Sequence, residues 1–423
     1  MKQRRLFYGW IIVGISFINL SIIFGIWYSF SVFFVAIFNE FGWSRAATAG
    51  VFSCFMLVHS ASAIMIGSLL DKFGARLVIP AGSLIVALGL CAASRIHSLP
   101  EFYLWYGVLT PIGVCAVGFI AHSIVLPKWF ARKRGLAIGI AMAGVGVGMQ
   151  VIVPATQFAI DHYGWRTSYC LLAVLILITI FPLNALLQRK SPASIGEIPD
   201  GLIQSSAENR DTVRETEKTD AMILHTPIAA TIPETLRTKQ FWLLCAAFIF
   251  TPLAVQGTLI HQVASVVDRG FTPVQGAFFF GLAGIMGSVG KILFGYLSDI
   301  IGREKAFSMG MACAALGVVS LMILTPSSSW LLFGYAILFG LGYGSIAPLF
   351  PARSADLFLG PNFGKIMGIL SLGGGVGGAV GVWLSGKIFD LTASYHVSFG
   401  ISIAAIIIGI IFFRFAGATE KSG

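Results

Sequence analysis

Gly67-Ser-Leu-Leu-Asp71-Lys-Phe-Gly74-Ala-Arg76 and Gly295-Tyr-Leu-Ser-Asp299-Ile-Ile-Gly302-Arg303-Glu-Lys305 are one phrase written twice. Gly67 to Gly295, Asp71 to Asp299 and Gly74 to Gly302 are each 228 residues apart, and each copy joins two long apolar runs. Three matched positions at one offset mark an internal repeat, so the chain reads as two related halves. The residue types have a physical use. A small residue lets helices approach, an acid at a helix end meets a basic neighbour, and glycine makes the tight turn. The candidate gating residues are Gly67, Asp71, Gly74 and Arg76 in the first half and Gly295, Asp299, Gly302 and Arg303 in the second. They suit a clasp that closes and releases one face of the molecule; a plain turn carrying anchoring charges is the blander reading.

Composition says what surrounds the repeat. Only 11% of the 423 residues are charged and 57% are hydrophobic, with a mean hydropathy of +0.87. That is under half the charge of a soluble domain and excludes a soluble enzyme, a disordered chain and a secreted disulfide scaffold. The six cysteines lie inside apolar stretches with no paired spacing, which suits buried apolar side chains and no metal. The basic start, Met1 to Arg5, resembles a signal peptide, but the apolar run that follows is too long, so it reads as a retained first span.

Runs of about 20 apolar residues number twelve, near 8–38, 47–70, 77–95, 102–126, 135–160, 167–187, 240–267, 273–297, 306–324, 330–351, 364–386 and 396–414. All must be helical, because a lone span has to bond its own backbone. Loops on one side, with both termini, hold 22 Lys and Arg, and the opposite loops hold 5. Both termini are therefore expected in the cytoplasm. The net charge of +10 belongs to membrane orientation and not to a nucleic-acid partner. The expected organisation is a six-helix half over 1–187, a polar cytoplasmic linker over 188–238 and a second half over 239–423. The fold class is an all-α integral membrane protein.

One basic residue remains, Lys291, inside the eighth span. A charge there costs several kcal/mol unless it faces water or a partner, and Gly281–Leu297 offers no carboxylate. A water-filled cavity and an anionic ligand would explain it; snorkelling to the nearby cytoplasmic end is the alternative. No span has an interior Asp or Glu, so titratable candidates fall to His59, His122 and His261. Phe119 shares a helix face with His122, and Gln256, Tyr28 and Tyr343 complete the candidate lining. Gly373-Gly-Gly-Val-Gly-Gly378 satisfies a dinucleotide-binding pattern, but it lies mid-span with no strand before it. With Gly144-Val-Gly-Val-Gly148 it is read as close helix packing where the halves slide.

The repeated loop resembles the signature of the major facilitator superfamily, over essentially the whole chain. Tyr8-Gly-Trp10, the run Tyr28 to Phe34, Lys128 to Ala137 and Leu236 to Trp242 resemble the monocarboxylate transporter and oxalate/formate antiporter group within it. The resemblance implies a major facilitator fold of 6+6 helices, a central site between halves and alternating access. It also implies that Lys291, four before Gly295, occupies the place of a basic residue that binds substrate carboxylate, and that Phe119 stands where an aromatic meets substrate. The chain departs from the group at Gly287, Tyr28 and Ile369-Leu370, where the group has an aspartate, a lysine and a second cation. One fixed cation suits one carboxylate per substrate, and the missing aspartate leaves coupling open between protons and a counter-transported anion.

The expected function is secondary transport of small organic anions, monocarboxylates first, by a monomer in the plasma or bacterial inner membrane. No cofactor and no enzymatic activity are expected. A porter for neutral or drug-like solutes and a non-transporting membrane sensor are the alternatives.

Overall fold

The structure, a computed structural model, describes residues 7–130, 134–189, 192–197, 232–358 and 362–417. Most of the expected linker over 188–238 lies outside the described residues; within it stand a turn at Pro192–Ile195 and a short helix at Ile232–Arg237. The side chain of Asp71 also lies outside the description.

Because lipid offers the backbone no partners, each apolar run closes its own hydrogen bonds. The first half holds α1 (Tyr8–Phe41), α2 (Arg45–Phe73), α3 (Ala75–Ala93), α4 (Leu99–Trp129), α5 (134–163) and α6 (165–187). The second holds α7 (Lys239–Asp268), α8 (Pro273–Ile301), α9 (Arg303–Met322), α10 (Leu331–Phe358), α11 (Phe363–Thr392) and α12 (His396–Phe415). Helices α5 and α6 run on as one helical stretch of 54 residues. At 1.5 Å per residue that is about 81 Å, far more than a hydrocarbon core of about 30 Å. Gly164, at φ 80° and ψ 159°, breaks it into two spans.

The same backbone conformation recurs where the repeat requires it. Gly74 has φ 77° and ψ 159°, and Gly302 has φ 92° and ψ 154°. Each is a one-residue hinge, so α3 starts directly after α2 and α9 directly after α8. A side chain in this region clashes with the backbone, so glycine is required there. The repeat reaches further than the loops. Helix α4 is interrupted at Gly118 and α10 at Ser345, within one residue of the 228-residue offset. Irregular backbone at membrane depth is tolerated where it lines a cavity, and Phe119 and Pro348, just past the two interruptions, line the same one.

Within the halves α1 packs on α5, α3 on α6, α7 on α11 and α12, and α10 on α8 and α9. Across them α1 meets α7, α2 meets α11 and α5 meets α8. The glycine runs serve both kinds of contact, which narrows the expectation that they mark only the sliding surface. Gly144 and Gly148 press on Phe17 and Ser21 of α1, in their own half, while Gly146 between them faces Gly284 and Ser288 of α8. In α11, Gly377 and Gly381 press on Ile249 and Leu253 of α7, while Gly375 and Gly378 face Ser60 and Met56 of α2. Each run is a two-sided spacer, with alternate glycines turned to opposite neighbours. The outside of the bundle stays apolar: Leu77, Ile178 and Leu186 are 63%, 66% and 66% exposed, a surface that only lipid covers stably.

Gly302→Ala should destabilise the detergent-solubilised protein by about 1–3 kcal/mol, the cost of a side chain in this backbone region. Gly400, in open space in α12, is the control; its change to Ala should be neutral or stabilising by up to about 1 kcal/mol. Equal thermal shifts for the two variants would overturn the hinge account.

Candidate functional site

Lys291 follows two glycines, Gly287 and Gly290, on the face of the eighth span that meets α10. Gly287 lies against the ring of Tyr343 in α10, Gly290 against the backbone of Leu341, and Gly344 faces Gly287 and the backbone nitrogen of Lys291. Helix α8 is thus held tightly on α10, and its lysine lines a cavity of about 280 Å³ between the halves. Phe119, Ile138 and Met142 form the wall from the first half; Ser288, Lys291 and Pro348 form the wall from the second. Among the described residues no carboxylate lies within ion-pair distance of the ammonium. The lining offers one fixed positive charge and an otherwise mostly apolar surface, with Ser288 at its edge and that hydroxyl turned away from solvent.

His122 is 1% exposed and stands behind the same wall. A small void lined by Leu20 and His122 shares Phe119, Ile138 and Met142 with the Lys291 cavity. The Asn19 amide nitrogen lies 3.4 Å from His122 Nε2 and donates to Asn184 Oδ1 at 2.9 Å. Asn184 returns a bond to Asn19 Oδ1 at 3.0 Å and donates to the Ile180 carbonyl at 2.7 Å. This buried amide pair ties α1 to α6 beside the cavity.

A second group of candidates lies along the seam between the halves. The Tyr28 ring is 5.9 Å from Phe280 of α8, and its hydroxyl lies beside Gln256. Tyr343 reaches Met149 Sδ of α5 at 3.6 Å. His59 packs edge-on against Trp27 at 4.7 Å. The Gln256 and Gln150 side-chain oxygens and the Ser288 hydroxyl are buried here without a hydrogen-bond partner.

His261 belongs elsewhere. Its Nε2 lies 2.9 Å from the Val382 carbonyl, which can only accept, so Nε2 carries the proton. Nδ1 then accepts from the Tyr395 hydroxyl at 3.0 Å, and that oxygen accepts from Arg45 Nη1 at 2.8 Å. Arg45 is the centre of a seal at the outer end. Its guanidinium grips Asp268 of α7 in two parallel bonds of 2.6 and 2.7 Å and lies 3.7 Å above the Phe389 ring of α11. Asp390 accepts the backbone N–H groups of Arg45 and Ala46, each at 2.8 Å, and so caps the N-terminus of α2 from the other half.

The opposite end is arranged differently. Arg303 bonds Asp299 at 2.5 Å and lies 3.4 Å from Asp356, while Arg353 bonds Glu304 at 3.0 Å. These pairs stay within the second half. In the first half Arg76 donates to the Ala185 carbonyl at 3.2 Å, while Gly67 and Gly74 stand in open space. Among the described residues no ion pair joins the halves at this face.

The structure therefore brings together Lys291, Phe119 and His122, gathers Tyr28, Gln256 and Tyr343 on the seam, and separates His261 from both groups. Sequence reading missed Ser288, although three residues before Lys291 is the same helix face. It also missed Arg45, Asp268, Asp390 and Tyr395; the three charged residues lie at span ends, where charges are expected for solvation alone.

The family model of the Major Facilitator Superfamily matches residues 15–352 and 288–423. Monocarboxylate transporter 13 of Bos taurus is 27% identical, over 98% of this chain and 92% of the relative. Monocarboxylate transporter 2 of Homo sapiens is 25% identical, over 95% and 83%. A crystal structure of the nucleoside transporter NupG, as a point mutant, superposes with a TM-score of 0.70 over 96% of this chain and 100% of that one. At 13% sequence identity that likeness speaks for the fold alone.

The reciprocal Asn19–Asn184 bonds should show as coupling. In a double-mutant cycle with Asn19→Ala and Asn184→Ala, unfolding in detergent should give coupling on the order of 0.6 kcal/mol, the mean for hydrogen bonds between membrane helices, and no more than about 1.7 kcal/mol. Zero coupling would mean that the pair adds nothing to stability.

Proposed function

Because the chain belongs to the Major Facilitator Superfamily, we propose that it carries small organic anions, monocarboxylates first, across the cell membrane by alternating access. One observation carries the anion reading: a lysine with no carboxylate partner among the described residues lines an inter-half cavity whose other walls are mostly apolar. Burying an ammonium without a counter-charge is costly. A bound carboxylate repays that cost and is released when the cavity opens to water. The cavity, at about 280 Å³, has room for an acid of a few carbons. The relatives named as monocarboxylate transporters support the same class. The six-helix halves are taken as the moving bodies, with the division over 188–238 as their tether.

In this reading Lys291 pairs with the carboxylate, Phe119 covers the apolar part of the substrate, and His122 with its asparagine pair supports the wall behind. Tyr28, Gln256 and Tyr343 close the route above. His59 stands with that aromatic group. The repeated loops, with Asp71 and Asp299 at their centre, would act when the cytoplasmic side closes.

Two measurements test this. Proteoliposomes with Lys291→Gln should lose counterflow of labelled lactate, pyruvate and formate by at least tenfold, while the protein keeps its fold; wild-type counterflow would sink the role of Lys291. A wild-type protein stabilised by neutral solutes and by none of the acids would replace the anion reading with a neutral-solute porter. For the cycle itself, Arg45→Ala should raise thiol labelling from outside at a cysteine placed at Ser53, which lies within the sealed α2–α11 contact. Unchanged labelling would show that the Arg45 seal does not hold the outer side shut.

A further inference from the structure

We propose that Ser288 is a second substrate contact, donating its hydroxyl hydrogen to the carboxylate that Lys291 holds; this rests on the anion reading above. Serines inside these helices ordinarily satisfy themselves. Ser16, Ser29, Ser62 and Ser354 each donate to the carbonyl four residues back, at 2.7–2.9 Å. Ser298 and Ser345 donate to the carbonyl three back, each at 2.7 Å. Ser288 does neither: its Oγ is shut off from solvent and has no hydrogen-bond partner.

At the crossing of α5 and α8, Gly146 has no side chain, and the space beside it is taken by the Ser288 hydroxyl and the Gly284 carbonyl. The hydroxyl nevertheless makes no bond to that carbonyl four residues back. Ser288 therefore points across the seam, with its side chain at the boundary of the Lys291 cavity. Alanine would pack there without stranding a polar atom. A stranded hydroxyl costs free energy and gives nothing back in this state, so its use must come in another state, when a ligand is bound.

The chemistry of the pair is complementary. An ammonium is a compact charge that attracts a carboxylate without fixing its plane. A hydroxyl one turn away on the same face, about 4.5 Å along the axis, supplies a directed donor for the second carboxylate oxygen. Lys291 would supply attraction and Ser288 orientation, and an anion lacking a second oxygen acceptor would be held by the lysine alone.

Ser288→Ala and Ser288→Cys test this, one smaller than serine and the other larger, both without a strong donor. In proteoliposomes both should raise the KM for labelled lactate and formate about tenfold, the loss of one charge-assisted bond. Thermal unfolding without substrate should be unchanged or higher for Ser288→Ala. Wild-type KM in both variants would overturn the proposal. So would a defect in only one of them, which would make Ser288 a spacer judged by volume. The anion reading fails separately: wild-type protein that moves none of the acids sinks both ideas, whereas acid transport with an indifferent Ser288 sinks only this one.

Discussion

Inside a bilayer, apolar side chains gain little by leaving lipid for each other, so helices hold together only where their surfaces come very close. That constraint organises this molecule. At several of the main helix crossings one helix presents glycine: Gly146 on α8, Gly375 and Gly378 on α2, Gly144 and Gly148 on α1, Gly377 and Gly381 on α7. The same two glycine runs serve both the halves and the joint between them, through alternate residues. A joint made of backbone contact is short-ranged and sharply lost on separation, which suits two bodies that part and meet again.

Charge is placed against this background with economy. At the outer end one arginine engages Asp268, Tyr395 and the Phe389 ring from the other half, while Asp390 caps its helix. At the inner end the ion pairs among the described residues stay within the second half. Between them lies Lys291, with no ion-pair partner among the described residues, at the boundary of a cavity that both halves line. Among the described residues the ion pair and the helix cap that join the halves lie at the outer end, and the lysine stands close to the contact of Gly146 in α5 with Gly284 and Ser288 in α8.

Much of this was legible in the chain itself. The twelve apolar runs, the basic loops and the 228-residue repeat are local or periodic signals, and the hinge glycines behave as the repeat required. The helical break between the fifth and sixth spans fell at Gly164, inside the gap the runs left open. Lys291 stood out because a lone charge in an apolar run needs no partner list to be noticed. Other readings depended on neighbours far away in sequence. His59, His122 and His261 look alike as letters, yet one packs on Trp27, one joins an amide pair beside the cavity, and one bridges Val382 and Tyr395 in the outer seal.

By itself the sequence determined that this chain crosses a membrane as two repeated six-helix halves with one charge at their core, because those properties follow from composition, period and spacing. Only the tertiary structure decided which polar groups meet. Arg45 and Asp268 are 223 residues apart and were ordinary end charges until folding brought them to 2.6 Å. Ser288 was an ordinary helical serine until folding set its hydroxyl against Gly146 of the other half, buried and without a partner. Hydrogen bonds and ion pairs act over a few ångströms, and distance along the chain says nothing about that scale once the halves have closed on each other.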